Sequence, residues 1–252
     1  MKKNEGSLYY FGVNSVAEKL RSSPREVFEI IMVRRGHPGA ALRAVDQQAR
    51  SQGIPVRYVE PGVLEHLAEG GKHQGVVAKV AVYSYRSFPD LIQELSSEAG
   101  RDCILFLDGL TDPRNFGALL RSADGAGICR VVIPQDRAVG VNPTVVKTSA
   151  GAANYLRIYR VSNLRRAILA LKERGYWVVG LDSKAPEALY DRAYPEKIVA
   201  VLGAEGSGIR PLIRQECDFL VSIPMRGKIA SLNVAVAGGI FLYELVRQSA
   251  QS

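Results

Sequence analysis

Cysteine, histidine and tryptophan are scarce in this chain of 252 residues, which holds three, three and one of them. The cysteine count is odd and no C-x-x-C occurs, which argues against a disulfide framework. Cys103 and Cys129 sit in or beside apolar runs and read as small buried residues of a reducing compartment. His37, His66 and His73 are far from any cysteine cluster, so no metal site is expected. Long apolar runs are missing too. None approaches the roughly 18 residues of a membrane span, and the start, MKKNEGSLYYFG, lacks the apolar core of a signal peptide. A cytoplasmic protein with no membrane partner is the expectation. Internal repeats and low-complexity tracts are absent as well.

What is there is an ordinary globular composition, 47% hydrophobic and 23% charged, long enough to bury a full core without cross-links. The formal charge is +8, and the excess is spread over both parts of the chain. That suits a polyanionic partner, and it equally suits plain solubility.

The first 80 residues alternate helix and strand signals. FGVNSVAEKLRS predicts a helix capped near Asn14 or Ser15, EVFEIIMV a strand, and GAALRAVDQQARSQG a helix ended by Gly53. PVRYVE reads as a short strand, PGVLEHLAEG as a helix from Pro61, and VVAKVAVYS as a strand. This is a small α/β module over residues 1–83. Residues 84–100, polar at both ends around one short helix, suit a linker. From 101 to 252 six strand runs recur, CILFLD, RVVIP, YLRIYRV, YWVVGLD, IVAVLG and FLVSIP. They hardly alternate, as strands covered on both faces do. Helical stretches separate most of them, so a mostly parallel six-stranded sheet with flanking helices is expected. The last helix, within SLNVAVAGGIFLYELVRQ, is apolar nearly all round until Glu244 and needs another surface, for which a second subunit is the natural candidate.

One helix is unusual. In DPRNFGALLRSADGAG a pitch of 100° per residue puts Phe116, Leu119, Leu120 and Ala123 on a core side. The other side carries Gly117, Ala118, Arg121, Ser122 and Gly125, where a solvated face usually holds Glu and Lys. Two glycines there cost about 1 kcal/mol each against alanine. Close approach of a ligand, or of another backbone, would account for them, and so would a helix packed tightly under a neighbour. Asn115 stands at the helix start near free backbone N–H groups.

Two further stretches leave strands. VLGAEGSGIRP ends one in a glycine-rich loop that matches neither G-x-G-x-x-G nor a phosphate loop, with Glu205 between small residues. Loops at the carboxyl ends of parallel strands are where such sheets bind ligands, although a simple turn would look the same. IPMRGKIASLNVAVAGG turns at Arg226-Gly227 and enters the last helix at Ser231, a candidate N-cap, with Asn233 following as a polar group that needs a partner. Capping alone would also explain it.

Together, N-F-G-A-L-L-R-S-A, L-G-A-E-G-S-G-I and I-P-M-R-G-K-I-A-S-L-N-V-A-V-A-G-G-I resemble, in order and spacing, the three signature motifs of the SpoU/TrmH family. These are RNA ribose 2′-O-methyltransferases of the SPOUT superfamily. F-G-V-N-S-V and H-Q-G-V-V-A resemble the small ribosomal-protein-like RNA-binding domain of members that methylate a guanosine of large-subunit (23S) ribosomal RNA. One departure is Ala235, where many relatives carry Ser.

The resemblance implies a sheet tied in a trefoil knot, a homodimer, S-adenosylmethionine as methyl donor and RNA as substrate. It implies a site formed by Arg121, Asn115, Glu205, Ser231 and Asn233, with Leu202, Gly203, Gly206, Ile223, Met225, Leu232 and Asn233 around the donor. Arg121 would handle the ribose hydroxyl, either as a base helped by a nearby phosphate or by orienting that phosphate and stabilising the developing alkoxide. Glu205 would hold Arg121 or its own loop. RNA-contact candidates are Arg121 with Arg34, Arg35, Lys72 and Lys79, which read equally well as solubilising charges. Transfer-RNA methylation and a non-catalytic RNA-binding role are the competing readings.

Overall fold

The computed structural model describes residues 7–34, 39–95, 102–229 and 231–249. The chain divides into two units, Met1–Ser84 with Val141–Tyr155, and Tyr85–Gly140 with Leu156–Ser252.

In the first unit run β1 (Ser7–Phe11), α1 (Val13–Ser22), β2 (Val27–Val33), α2 (Ala40–Ser51), β3 (Val56–Val59), α3 (Pro61–Leu67) and β4 (Val76–Ala81). The sheet order is β1-β4-β2-β3, antiparallel except for the parallel β2–β3 pair. The sequence pattern does not reveal β1, because only Tyr10 of SLYYF is buried and no alternation shows. Ile31, Val33, Leu64 and Val77 form part of the core. The cap expected at Asn14 or Ser15 is not formed. α1 begins at Val13 behind Gly12 (φ 90°), and the free Val13 N–H donates instead to Gln74 Oε1 at 3.0 Å. A distant amide thus satisfies a helix end for which local sequence offered two other candidates.

The second unit begins with α4 (Phe88–Leu95), β5 (Asp102–Asp108), α5 (Pro113–Gly125) and β6 (Arg130–Pro134). α4 is the helix expected in the linker, and its Leu91 is fully buried in the sheet's core. The chain then leaves the unit for α6 (Pro143–Thr148), which belongs to the first. There Asn142 caps it by accepting from Val145 N at 3.0 Å, and Lys147 lies over the Phe11 ring at 5.0 Å. It returns through β7 (Arg157–Val161), α7 (Leu164–Lys172), β8 (Trp177–Leu181), β9 (Glu187–Ala188), β10 (Lys197–Gly203), α8 (Pro211–Arg214), β11 (Phe219–Ser222) and α9 (Val234–Ser249).

The sheet order is β7-β6-β5-β10-β8-β11-β9, and every neighbouring pair is parallel. It has seven strands, not six. The extra one, β9, is two residues of pairing at the edge, too short for any periodicity. One face buries Ile104, Phe106, Val132, Val199 and Val201 against Leu91, Ile168, Leu171 and Ile213. α5 lies with α9, so closely that a Cβ on Gly238 would stand 2.3 Å from Leu119 Cδ2 and 2.7 Å from Leu202 Cδ1. Phe116, Leu119 and Leu120 are buried as the helical spacing predicts, each contributing about 1.5–3 kcal/mol. Because the sheet is parallel, the exits of β5, β10 and β11 share one edge, and that edge positions the candidate site. Among the described residues no helix is long and apolar enough to cross a membrane, and no group of three His, Cys, Asp or Glu could hold a metal ion. All three cysteines are free.

Candidate active site

Three chain segments meet at that edge. After β5, Gly109 (φ 81°) turns the backbone, and Asp112 caps α5 by accepting from Arg114 N at 2.6 Å. This sets Asn115 in the first turn, 9% exposed. After β10, the chain closes a short loop in which Ala204 N donates to Gly208 O at 3.1 Å and Gly208 N to Ala204 O at 2.9 Å. Gly203 must lack a side chain, since a Cβ would meet the Gly208 and Ile209 backbone at 2.0 and 2.2 Å. Gly206 and Gly208 take positive φ, 82° and 68°, with open space where a Cβ would be. The loop therefore presents Glu205 on a small, closed frame.

The third segment leaves β11 and enters α9. The helix cap is Asn233, not Ser231. Asn233 Oδ1 accepts from Ala235 N at 2.9 Å and Val236 N at 3.4 Å, while Ser231 is exposed upstream. Both are good capping types, and only the point where helical backbone begins decides between them. Asn233 Nδ2 donates to Asn115 Oδ1 at 2.9 Å and to Glu205 Oε1 at 3.4 Å, and Asn115 Nδ2 donates to Glu205 Oε2 at 2.8 Å. One residue from each stretch thus closes a triangle of amide and carboxylate bonds.

Glu205 is satisfied by two neutral amides and holds the loop ends rather than Arg121. Arg121 is exposed and forms no hydrogen bond or ion pair among the described residues. The small face of α5 has a mixed explanation. A Cβ on Gly125 would stand 2.9 Å from Tyr243 Oη, and one on Gly239 would stand 3.4 Å from Ser122 Oγ, so α9 covers part of it. Close helix packing explains those positions and leaves Arg121 outside the contact.

Of the residues expected around the donor, Leu202 is buried against Gly238, so only its main chain can serve. Ile223 is half-buried, whereas Met225 and Leu232 are partly exposed apolar side chains on the third segment. In the first unit Arg34 and Lys72 are exposed. Lys79 is half-buried, opposite Glu29 and Tyr9 in the sheet. Arg35 lies outside the described residues.

The expectations missed Asp108 and Arg210. Asp108 ends β5 fully buried and takes Arg210 N at 2.8 Å and Arg210 Nε at 2.6 Å. The signal available was the acidic end of the apolar run CILFLD. A cavity of about 180 Å³, lined by Asp102, Cys103, Cys129, Glu196 and Leu245 among others, opens at the other edge, by the amino ends of β5 and β10. None of the expected site residues lines it. The convergence of three loops, rather than the cavity, marks the candidate site.

Residues 102–243 match the SpoU rRNA Methylase family, and residues 9–86 match the domain described as RNA 2′-O ribose methyltransferase substrate binding. The 23S rRNA (guanosine-2′-O-)-methyltransferase RlmB of Xylella fastidiosa is 40% identical over 98% of this chain and 98% of its own. The putative TrmH family tRNA/rRNA methyltransferase YacO of Bacillus subtilis is 40% identical over 95% of each chain. In fold, the chain is similar to the SpoU methyltransferase AviRb from Streptomyces viridochromogenes, solved in complex with AdoMet. The TM-score is 0.79 at 24% identity, over 100% of this chain and 95% of that one.

Proposed function

Since the chain belongs to the SpoU rRNA methylase family, we propose that it methylates a ribose 2′-hydroxyl, with S-adenosylmethionine as donor and a guanosine of 23S ribosomal RNA as target. The observation that carries this reading is the Asn115–Glu205–Asn233 triangle, with Arg121 untethered on the same helix as Asn115.

The donor fits what the loops offer. Gly206 and Gly208 leave open space where side chains would stand, and Met225 and Leu232 supply apolar surface. Leu202, Gly203, Gly206, Ile223, Met225, Leu232 and Asn233 would hold it. When bound, S-adenosylmethionine supplies a methyl group on a cationic leaving group. The protein is left with positioning and with the hydroxyl proton. A guanidinium stays charged at physiological pH, so Arg121 acts best by gripping a phosphate with its planar fork and stabilising negative charge on the 2′-oxygen. Asn115, Glu205 and Asn233 keep the three loops in register around it, and Ser231 stands beside them.

In the same reading residues 1–83 bind the RNA, with Arg34, Arg35, Lys72 and Lys79 as contacts. Residues 84–100 lead from the first unit into the second, whose core takes up α4, and residues 101–252 carry out the transfer in a trefoil-knotted sheet. A homodimer covers the outer face of α9, where Val236 and Tyr243 are each 52% exposed. The protein acts in the cytoplasm and needs no metal.

Mapping ribose methylation in RNA from cells with and without the gene tests the reading. Loss of one guanosine 2′-O-methyl from 23S rRNA is expected. A methyl lost from transfer RNA instead would reassign the target. No heat of binding with S-adenosylmethionine would make the protein a non-catalytic RNA binder.

A further inference from the structure

Asp108 occupies a singular place at the site's edge. In the parallel register of β5 and β10 it stands directly opposite Gly203, where the Glu205 loop departs. The same loop returns to it, because Arg210 donates its backbone N–H to Asp108 Oδ2 at 2.8 Å. Arg210 also donates Nε to Oδ1 at 2.6 Å, and its guanidinium forms an ion pair with the same oxygen. The loop therefore departs beside the Asp108 backbone and returns to its carboxylate, whose side chain is wholly buried. A buried carboxylate needs well-made partners, and this one has two donors and an ion pair from a single residue. On its own strand, Asp108 leads through Gly109 into α5 and Asn115. The loop between is self-closed by the paired Ala204 and Gly208 bonds.

We propose that Asp108, acting through Arg210, is a positioning residue for methyl transfer. It fixes the Glu205 loop against Asn115 and so sets the 2.8 Å bond between them. The inference rests on the methyltransferase reading. It assigns Asp108 no contact with substrate or donor. A displacement near 1 Å at a reacting centre is enough to cost about a hundredfold in rate.

The test is a double-mutant cycle on turnover. D108N keeps the side-chain shape but removes the charge that holds the Arg210 fork. It is expected to lower kcat about a hundredfold with KM for RNA unchanged, and to add little once E205Q is present. Equal losses from D108N in both backgrounds would overturn the proposal, because a residue acting only on stability is additive. R210K retains the charge while losing the fork and serves if D108N fails to fold. It should reproduce the kcat loss, and native turnover in R210K would refute the role. Amide exchange at Gly206 to Gly208 is read in parallel, without substrate. Faster exchange in the variants is expected even if wild-type protein methylates no ribose, which separates failure of the functional reading from failure of the clamp. Unchanged exchange would sink the clamp.

Discussion

Two regions of α5 lie less than two turns apart and are treated in opposite ways. At its first turn Asn115 is buried and bonded to both Glu205 and Asn233. Farther along, Arg121 stands exposed, without a partner among the described residues. The tethered part uses neutral amides to satisfy the carboxylate at the centre of the triangle, so no cation is spent on Glu205. An arginine placed near an acidic group is ordinarily drawn into an ion pair. Here the acid is already occupied, and the guanidinium stays available for a polyanion. The site divides into a frame that must not move and a charge that must remain free.

Removing the free charge should have the largest effect on turnover and the smallest on the fold. Arg121→Ala is expected to lower kcat by about a hundred- to a thousandfold, the range for losing one donor aimed at developing charge. The melting temperature should barely change, since the side chain is exposed and makes no hydrogen bond or ion pair among the described residues. Arg121→Lys should lose most of the same activity, because a point charge lacks the planar fork. Methyl transfer measured on RNA with saturating donor, beside thermal melts, decides it. Near-native turnover in Arg121→Lys would dissolve the distinction between frame and charge.

The frame is tested by Asn233→Asp. The new side chain can still cap α9 through an oxygen, but it cannot donate to Asn115 or Glu205. It also places a second carboxylate beside Glu205, which pushes one of the two to a higher pKa. Stability should fall by about 1 kcal/mol, and turnover by roughly tenfold or more at pH 8. Activity should partly return as the pH is lowered toward 6 and one carboxyl takes up a proton. A pH–rate profile parallel to that of the wild type would show that the triangle does not matter to the reaction.

Much of this was legible in the sequence because it rests on local periodicity. The buried face of α5 follows from the spacing of Phe116, Leu119, Leu120 and Ala123, and six of the seven strands of the second unit follow from unbroken apolar runs. The rest depends on contacts that join distant residues. β9 is defined only by its pairing with β11. The clamp between Asp108 and Arg210 spans 102 positions; the acidic end of CILFLD marks the carboxylate, but nothing local names its partner. Ser231 and Asn233 are equivalent as caps until the backbone chooses. The small residues of α5 were ambiguous between ligand and helix for the same reason. A glycine records that something is close without recording what, and at Gly125 it is Tyr243.

The close approach of α9 to α5 offers a milder way to disturb the frame. Gly238→Ala would drive a methyl group into the fully buried Leu119 and into Leu202. Overpacking of this kind costs about 1–3 kcal/mol. The melting temperature should drop while Arg121 remains free, so turnover per folded molecule should fall far less than in Arg121→Ala. An equal fall in both variants would mean that frame and charge are not separable.

The smallest effect is expected at a carboxylate that contrasts with Glu205. Glu94 on α4 accepts from Tyr159 Oη at 2.7 Å and Arg157 Nη1 at 2.6 Å, and is also paired with Arg86. Burial alone would raise its pKa, but the bonds from Tyr159, Arg157 and Arg86 together outweigh burial and hold it below the ordinary glutamate value. Its folded pKa is depressed, so the stability it adds is complete above the unfolded value of about 4.3 and is lost as the pH falls below that. Glu94→Gln should therefore lower the melting temperature slightly at pH 7, and the difference from the wild type should shrink toward pH 3. Turnover should be untouched, since cations spent on Glu94 lie outside the three loops. A difference in melting temperature that stays constant from pH 7 to pH 3 would show that Glu94 is held by shape and not by charge, and the contrast with the amide-bound Glu205 would lose its basis.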